Sequence, residues 1–479
     1  MKKLNRILIV GAGEAGAALV NDLRQRGLGN GLAAFADDDQ SKIGTTVAGI
    51  EVKGSTADLP GICSNYSITD VIIAIPSAKA SLINKITSKV LSYNRVINIL
   101  FVPSAERFFD TVPIFPSLRE FSYSDLLGRE EFSIDLDVME KFFEGKSVLI
   151  TGGGGSIGSE ICRQLLKFNV SKIVALGRGE NSIYNLMKGM DEYRRLMQGR
   201  MPGTVYRIAD TRDRRMLDRI FMEEKPDIVF HAAAHKHVPL MEWNEHEALQ
   251  NNILGTENVL SLSAEYNVQK FILVSSDKAV RPTNVMGATK RLCEIITSYY
   301  HDRKNLNTAA VRFGNVLGSR GSVIPLFMEQ IEKGGPVTVT HPDVTRYFMS
   351  IPEASLLVIN SAALSGGGEI FVLDMGEQYK IDDIARRMIE LYGFTPERDI
   401  KIEYTGLRPG EKMYEELFYN RGAMNKTGNS SIYTLHNDNI SLSDSDYDEI
   451  IAAVSERVYS MTSEDVRQFI KKFVPEYSF

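Results

Sequence analysis

The chain has 479 residues, 43% hydrophobic and 24% charged, enough apolar material for several domains of roughly 100–200 residues each, which excludes a disordered or low-complexity protein. Its 55 basic and 61 acidic residues leave a formal charge of −6, too small a field on this length to draw in nucleic acid or an anionic lipid surface. Three scattered cysteines, Cys63, Cys162 and Cys293, provide neither a disulfide framework nor a metal-ligand spacing, so no metal is expected and a reducing compartment is. No apolar run reaches the roughly 18 residues of a membrane span, and the opening residues lead straight into a strand, so a cytoplasmic location is expected.

The first element is a strand ending in Gly11, Gly13 and Gly16, a G-x-G-x-x-G turn that lets backbone amides approach a pyrophosphate at the start of a helix running to about Arg26. A second strand, 32–36, ends in Asp37, Asp38 and Asp39, where an acid suits a ribose hydroxyl. Strands at 70–75 and 96–102 complete a Rossmann-like unit over 1–125, which carries a possible second nucleotide site at Gly11, Gly13, Gly16 and Asp37. Residues 126–145 close a proline-bearing stretch without clean periodicity and read as a connector to a larger domain, 146–479.

That domain opens with a strand and a wider turn, T-G-x-x-G-x-x-G, through Gly152, Gly155 and Gly158, with Ser156 and Ile157 starting the helix. Strands at 172–176, 205–208, 227–230 and 270–274 alternate with helical segments, so the class is α/β, with two Rossmann-like doubly wound parallel sheets. Ligands of such sheets lie beyond the C-terminal strand ends, which here carry the glycines, Asp210, the small Ala232 and Ala233, and the run Ser275-Ser276-Asp277-Lys278. Where an acid would bind the ribose of NAD, the chain has Arg178, which suits the 2′-phosphate of NADP or sits in solvent; NADP or NAD is expected, with NADP favoured.

The segment from Ser275 to Lys290 carries the most chemistry. A Tyr-x-x-x-Lys pair one helical turn apart is expected in dehydrogenases of this type, and here the spacing survives with Met286 in place of the tyrosine and Lys290 retained. Methionine carries no proton, so acid and base must come from Ser276, Asp277 and Lys278. A carboxyl beside an amine supplies what removal of water across adjacent carbons requires. The cations Arg281 and Lys290, with an oxidised nicotinamide ring, are expected to lower the Lys278 pKa.

Six segments, Thr151–Glu160, His231–Glu242, Ser275–Lys290, Val311–Pro325, Thr345–Met349 and Thr405–Glu416, resemble the long, polysaccharide-biosynthesis form of the UDP-N-acetylglucosamine 4,6-dehydratases in the extended short-chain dehydrogenase/reductase family. The resemblance implies an extended short-chain dehydrogenase fold with a smaller C-terminal substrate subdomain, and a tightly bound, recycled NAD or NADP. In the implied cycle hydride leaves carbon 4, the carbon 5 proton is removed, the carbon 6 hydroxyl departs as water, and hydride returns to carbon 6.

The same resemblance makes Lys278 the carbon 5 base, Asp277 the acid for the leaving hydroxyl, Ser276 a hydrogen-bonding or proton-relay group at the carbon 4 oxygen and Lys290 the ribose anchor, and it places the Met286 form with enzymes that retain configuration at carbon 5. Recognition of UDP-N-acetylglucosamine, or a close UDP-N-acetylhexosamine, falls to Asn315, Arg320, Arg346, Arg408 and Glu411. The implied product is a 4-keto-6-deoxy UDP-sugar for bacterial surface polysaccharide, and the implied assembly a homo-oligomer such as a dimer. Long-form members begin with transmembrane helices, so the chain reads as a soluble member or as the cytosolic part of a longer membrane-anchored protein. A UDP-sugar 4-epimerase and a nonenzymatic nucleotide-binding regulator are the rival readings; Met286 counts against the first, the Ser-Asp-Lys run against the second.

Overall fold

The computed structural model describes residues 6–25, 29–75, 78, 82, 85–87, 89–90, 97–101, 119–120, 135–196, 201–392, 394–419, 424–435 and 441–479. The chain forms two compact units, one of Met1–Glu131, Val323–Val339 and Asp382–Tyr404, the other of Phe132–Ser322, Thr340–Ile381 and Thr405–Phe479. Two late segments expected in the larger domain thus group with the first unit. They pair with each other, Val337–Val339 alongside Ile402–Tyr404, and not with the large sheet.

In the first unit the sheet order is Leu32–Ala36, Ile7–Val10, Asp70–Ile73, Asn98–Phe101 and Arg119–Glu120, the last strand antiparallel. Ile7–Val10 is apolar throughout because both faces are covered: Leu8 and Val10 enter one core, Ile7 and Ile9 the other. The ends of the strand expected at 96–102, and Arg26, lie outside the described residues.

The second unit holds nine strands in the order Gly203–Ile208, Lys172–Gly177, Ser147–Thr151, Ile228–His231, Lys270–Val274, Thr308–Arg312, Glu369–Leu373, Ile432–Leu435 and Met424–Lys426. The first seven are parallel and the last two antiparallel. The order reverses between Ser147–Thr151 and Ile228–His231, which puts the binding crevice beyond those two strand ends. A three-stranded sheet of Asn315–Val316, Thr345–Met349 and Gln378–Lys380 belongs to the smaller C-terminal part. Within 126–145, Asp135 caps a helix, Leu136–Phe143, that buries Met139 and Phe143 in the large core. The acidic run near 444 opens a helix, Asp444–Ala452, closed by a Ser443–Asp446 capping box. Among the described residues no helix is long and apolar enough to cross a membrane.

One ion cluster lies inside this core. Arg312 and Glu294 are fully buried, with Nε donating to Oε1 at 2.8 Å and Nη2 to Oε2 at 2.7 Å; Ser275 Oγ donates to Oε1 at 2.6 Å and Arg291 Nη1 to Oε2 at 3.1 Å. Burial works to raise the Glu294 carboxyl, but the Arg312 charge and hydrogen bonds override it and hold it at about 2. A depressed pKa stabilises the fold above the unfolded value of about 4.3 and ceases to do so as pH falls through the folded one, so this contribution should disappear between about pH 5 and pH 2. Arg312→Met, which strands a buried carboxylate, should cost about 3–5 kcal/mol in the unfolding transition of this unit, and adding Glu294→Leu should recover most of it; a loss under about 1 kcal/mol in urea denaturation would show that the pair does not anchor the core.

Candidate active site

The glycine turn 152–155 sits at the C-terminal end of the central strand. Gly152 has φ +65°, and a Cβ there would lie 2.6 Å from the Ala232 carbonyl oxygen; a Cβ on Gly158 would lie 2.3 Å from that of Gly152. Only glycine fits at either position, so strand, turn and the helix Ser156–Leu165 meet backbone to backbone. The helix has no side-chain cap at Gly155, which leaves its N-terminal amides at Ser156 and Ile157 facing the crevice: the arrangement fits a dinucleotide pyrophosphate. Ala232 and Ala233 follow the neighbouring strand, with Ala232 N donating to Thr151 O at 3.1 Å.

At the next strand ends Asp210 accepts both Nε and Nη2 of Arg212, at 3.0 and 2.7 Å. Hydrogen bonding from Arg212 holds its carboxyl below the usual range. Arg178, half exposed, lies 3.7 Å from Asp210 Oδ2 and 3.7 Å from Glu247 Oε1. Arg212 and Glu247, joined at 3.0 Å, escaped the sequence reading. Arg212 had a signal, two residues from Asp210; Glu247 had none, because only folding brings it there.

Ser276, Asp277 and Lys278 follow the strand Lys270–Val274, in a short 3₁₀ turn capped by Ser276 Oγ. Asp277 is 1% exposed. Its Oδ1 accepts Lys278 Nζ at 3.0 Å and Ser276 Oγ at 2.9 Å, while Oδ2 has no hydrogen-bond partner among the described residues. Lys278 Nζ also donates to Asn315 Oδ1 at 3.3 Å and lies 3.5 Å from Glu415 Oε1. Burial works against the ammonium, but Asp277 and Glu415 outweigh it and raise Lys278 above the usual lysine range, with Arg346 acting the other way.

The expected lowering by Arg281 and Lys290 is therefore corrected. Arg281 turns to Glu416 and the Tyr419 carbonyl, and Lys290 Nζ donates to Val274 O at 2.6 Å. Burial pushes Lys290 itself below the lysine range. Met286, one turn before it in the helix Val285–Lys304, is buried in the apolar core.

Of the residues expected to hold UDP, Asn315 stands at Lys278. Arg320 lies on the glycine turn, its backbone N donating to Ser156 Oγ at 3.3 Å and its guanidinium to Gly154 O. Arg346 is buried and clamps the 411–413 loop through Glu411 Oε1 at 3.0 Å and the carbonyls of Lys412 and Met413 at 2.9 and 3.2 Å. Arg408 is exposed, its backbone N donating to Glu411 Oε2 at 3.2 Å. The sequence reading missed Lys236, whose Nζ donates to Ser319 Oγ at 3.3 Å. Burial, with Arg320 and Lys278 nearby, depresses its pKa, so Lys236 and Arg320 stand beside the acid-base pair, a setting suited to a diphosphate.

In the first unit Gly11 has φ +107°, and a Cβ on Gly16 would lie 2.1 Å from the Gly11 oxygen. Nothing lies within 4 Å of a Cβ on Gly13. Asp37 Oδ2 accepts Ala12 N of the glycine turn at 2.7 Å and Lys42 Nζ at 3.2 Å, so the acid expected to meet a ribose is tied to the turn and to a lysine of its own loop.

A family model described as "Polysaccharide biosynthesis protein" matches residues 148–437, and one described as "CoA-binding domain" matches residues 2–103. The chain is 47% identical to the capsular polysaccharide biosynthesis protein CapD of Staphylococcus aureus over 418 residues, 86% of this chain and 68% of that protein. It is 36% identical over 278 residues to a UDP-glucose 4-epimerase of Rickettsia prowazekii, covering 57% of this chain and 78% of the epimerase. The X-ray structure of Pen from Bacillus thuringiensis matches with a TM-score of 0.56 at 34% identity, over 63% of this chain and 90% of that one. With the dinucleotide fold, the glycine turn and this breadth of likeness in agreement, the chain belongs to the polysaccharide biosynthesis protein family.

Proposed function

We propose that, within the NAD-dependent nucleotide-sugar-modifying enzymes of its relatives, this chain is a 4,6-dehydratase acting on UDP-N-acetylglucosamine or a close UDP-N-acetylhexosamine. The reading is carried by the buried Asp277–Lys278 pair at 3.0 Å. Moving one proton from Lys278 Nζ to Asp277 turns ammonium and carboxylate into amine and carboxylic acid, the base and acid that dehydration needs. When bound, NAD or NADP supplies the hydride acceptor and donor that makes carbon 4 a ketone and later reduces carbon 6. The Lys278 amine takes the carbon 5 proton and Asp277 gives its proton to the departing carbon 6 oxygen; the Lys278 ammonium, after exchange with solvent, returns a proton to carbon 5 when carbon 6 is reduced, and the proton lost by the carbon 4 hydroxyl on oxidation restores the ionised pair. Ser276, donating to Asp277 Oδ1, orients the acid.

The epimerase reading draws on the Rickettsia relative, but Met286 at the tyrosine position leaves it without a proton carrier there. Arg178, with Arg212 and Asp210 beside it, supports NADP as the cofactor form.

Incubation with UDP-N-acetylglucosamine in deuterated water, read by mass spectrometry and proton NMR, should show loss of one water with deuterium at carbon 5. A mass-neutral inversion at carbon 4 would establish the epimerase instead, and no turnover the regulator. Lys278→Ala should lower dehydration by about 10²–10⁴-fold and abolish carbon 5 exchange; retained exchange would remove Lys278 from the base role. Arg178→Asp should move the NADP-to-NAD preference by about tenfold toward NAD, as loss of a charge-assisted phosphate contact would; an unchanged ratio in binding titrations would place Arg178 away from the ribose.

A further inference from the structure

Glu415 stands apart from every role given above. It is 3% exposed, its Oε1 lies 3.5 Å from Lys278 Nζ, and its Oε2 is buried with no hydrogen-bond partner among the described residues. A carboxylate in that position is expensive unless a charge compensates it, and Lys278 is the cation within ion-pair distance. Lys278 Nζ thus donates to Asp277 Oδ1 and Asn315 Oδ1 and, on the side of the C-terminal loop, faces Glu415 Oε1 at ion-pair distance. The other charged groups acting on this nitrogen are cations, Arg346 and Lys236. Glu415 is thus placed to act on the lysine through Oε1.

We propose that Glu415 is the positioning residue of Lys278: its carboxylate holds Nζ against Asp277 and Asn315 and keeps the proton on nitrogen until the substrate is in place. The inference deepens the dehydratase reading and rests on it for its catalytic meaning, but the electrostatic claim stands on the trio alone. Removing the carboxylate charge frees the amine at lower pH, because an opposite charge at this range favours the ammonium.

The test is pH-dependent acylation of Lys278 in the enzyme as purified, with acetic anhydride and peptide mass spectrometry, taking exposed Lys188 as internal reference. The reagent reacts with the amine form, so Glu415→Gln, which keeps the shape and loses the charge, should label Lys278 about tenfold faster than wild type below pH 9, in line with a shift of about one pH unit. Glu415→Asp, which keeps the charge, should stay within about twofold of wild type. Equal labelling of wild type and Glu415→Gln, or a rise of the same size in Glu415→Asp, would overturn the proposal.

In turnover, the acid limb of kcat should move to lower pH in Glu415→Gln with KM unchanged, and a raised KM with an unmoved limb would make Glu415 a substrate contact instead. Should wild type release no water from UDP-N-acetylglucosamine, the dehydratase reading falls while the labelling still decides the role of Glu415.

Discussion

The buried Arg312–Glu294 pair is the constraint from which the active site takes its geometry. Arg312 ends the strand Thr308–Arg312, Glu294 lies in the helix that carries Met286 and Lys290, and Ser275 Oγ joins them from the neighbouring strand end. Three elements are thus locked together one residue before Ser276. A charged pair in so dry a place adds little to stability compared with apolar packing, yet losing one partner is costly. Arg291 extends the network to Glu476 at 2.9 Å, so the end of the chain is tied to the same point.

From that anchor the candidate catalytic residues divide by environment. Asp277 and Lys278 are adjacent in sequence and joined by a hydrogen bond from Nζ to Oδ1, while Lys290, one turn beyond Met286, spends its ammonium on the Val274 carbonyl. Burial lowers the proton affinity of both lysines. Only Lys278 has carboxylates close enough to reverse the sign. Two amines a dozen residues apart therefore have opposite tendencies, one held as a cation beside its acid and the other pressed toward neutrality beneath the strand end.

The glycine turns show how far spacing alone can be trusted. Both units have the strand, turn and helix, and in both a glycine is required where the helix crosses the turn. Their acids differ in circumstance. Asp210 is engaged by Arg212 and approached by Arg178, whereas Asp37 accepts the amide of Ala12 in the glycine turn that follows the neighbouring strand. Identical local logic thus leaves one acid in an ion cluster with two arginines and joins the other to the glycine turn, and no periodicity distinguishes them.

The alternation of apolar strands with helices, the glycine turns, and the Ser276-Asp277-Lys278 run with Met286 and Lys290 are local patterns, set by backbone sterics and side-chain period, so they were legible in the sequence and carried the family with them. Strand order, the grouping of Val323–Val339 and Asp382–Tyr404 with the first unit, and the partners of each charge depend on contacts between distant residues. Nothing near Lys278 in the chain announces Glu415, 137 positions later, and nothing near Asp210 announces Glu247. The sequence by itself determined which chemical groups are available and which backbone turns present them. Only the tertiary structure decided their charges, because a pKa follows from the groups within a few ångströms in space, whatever their separation along the chain.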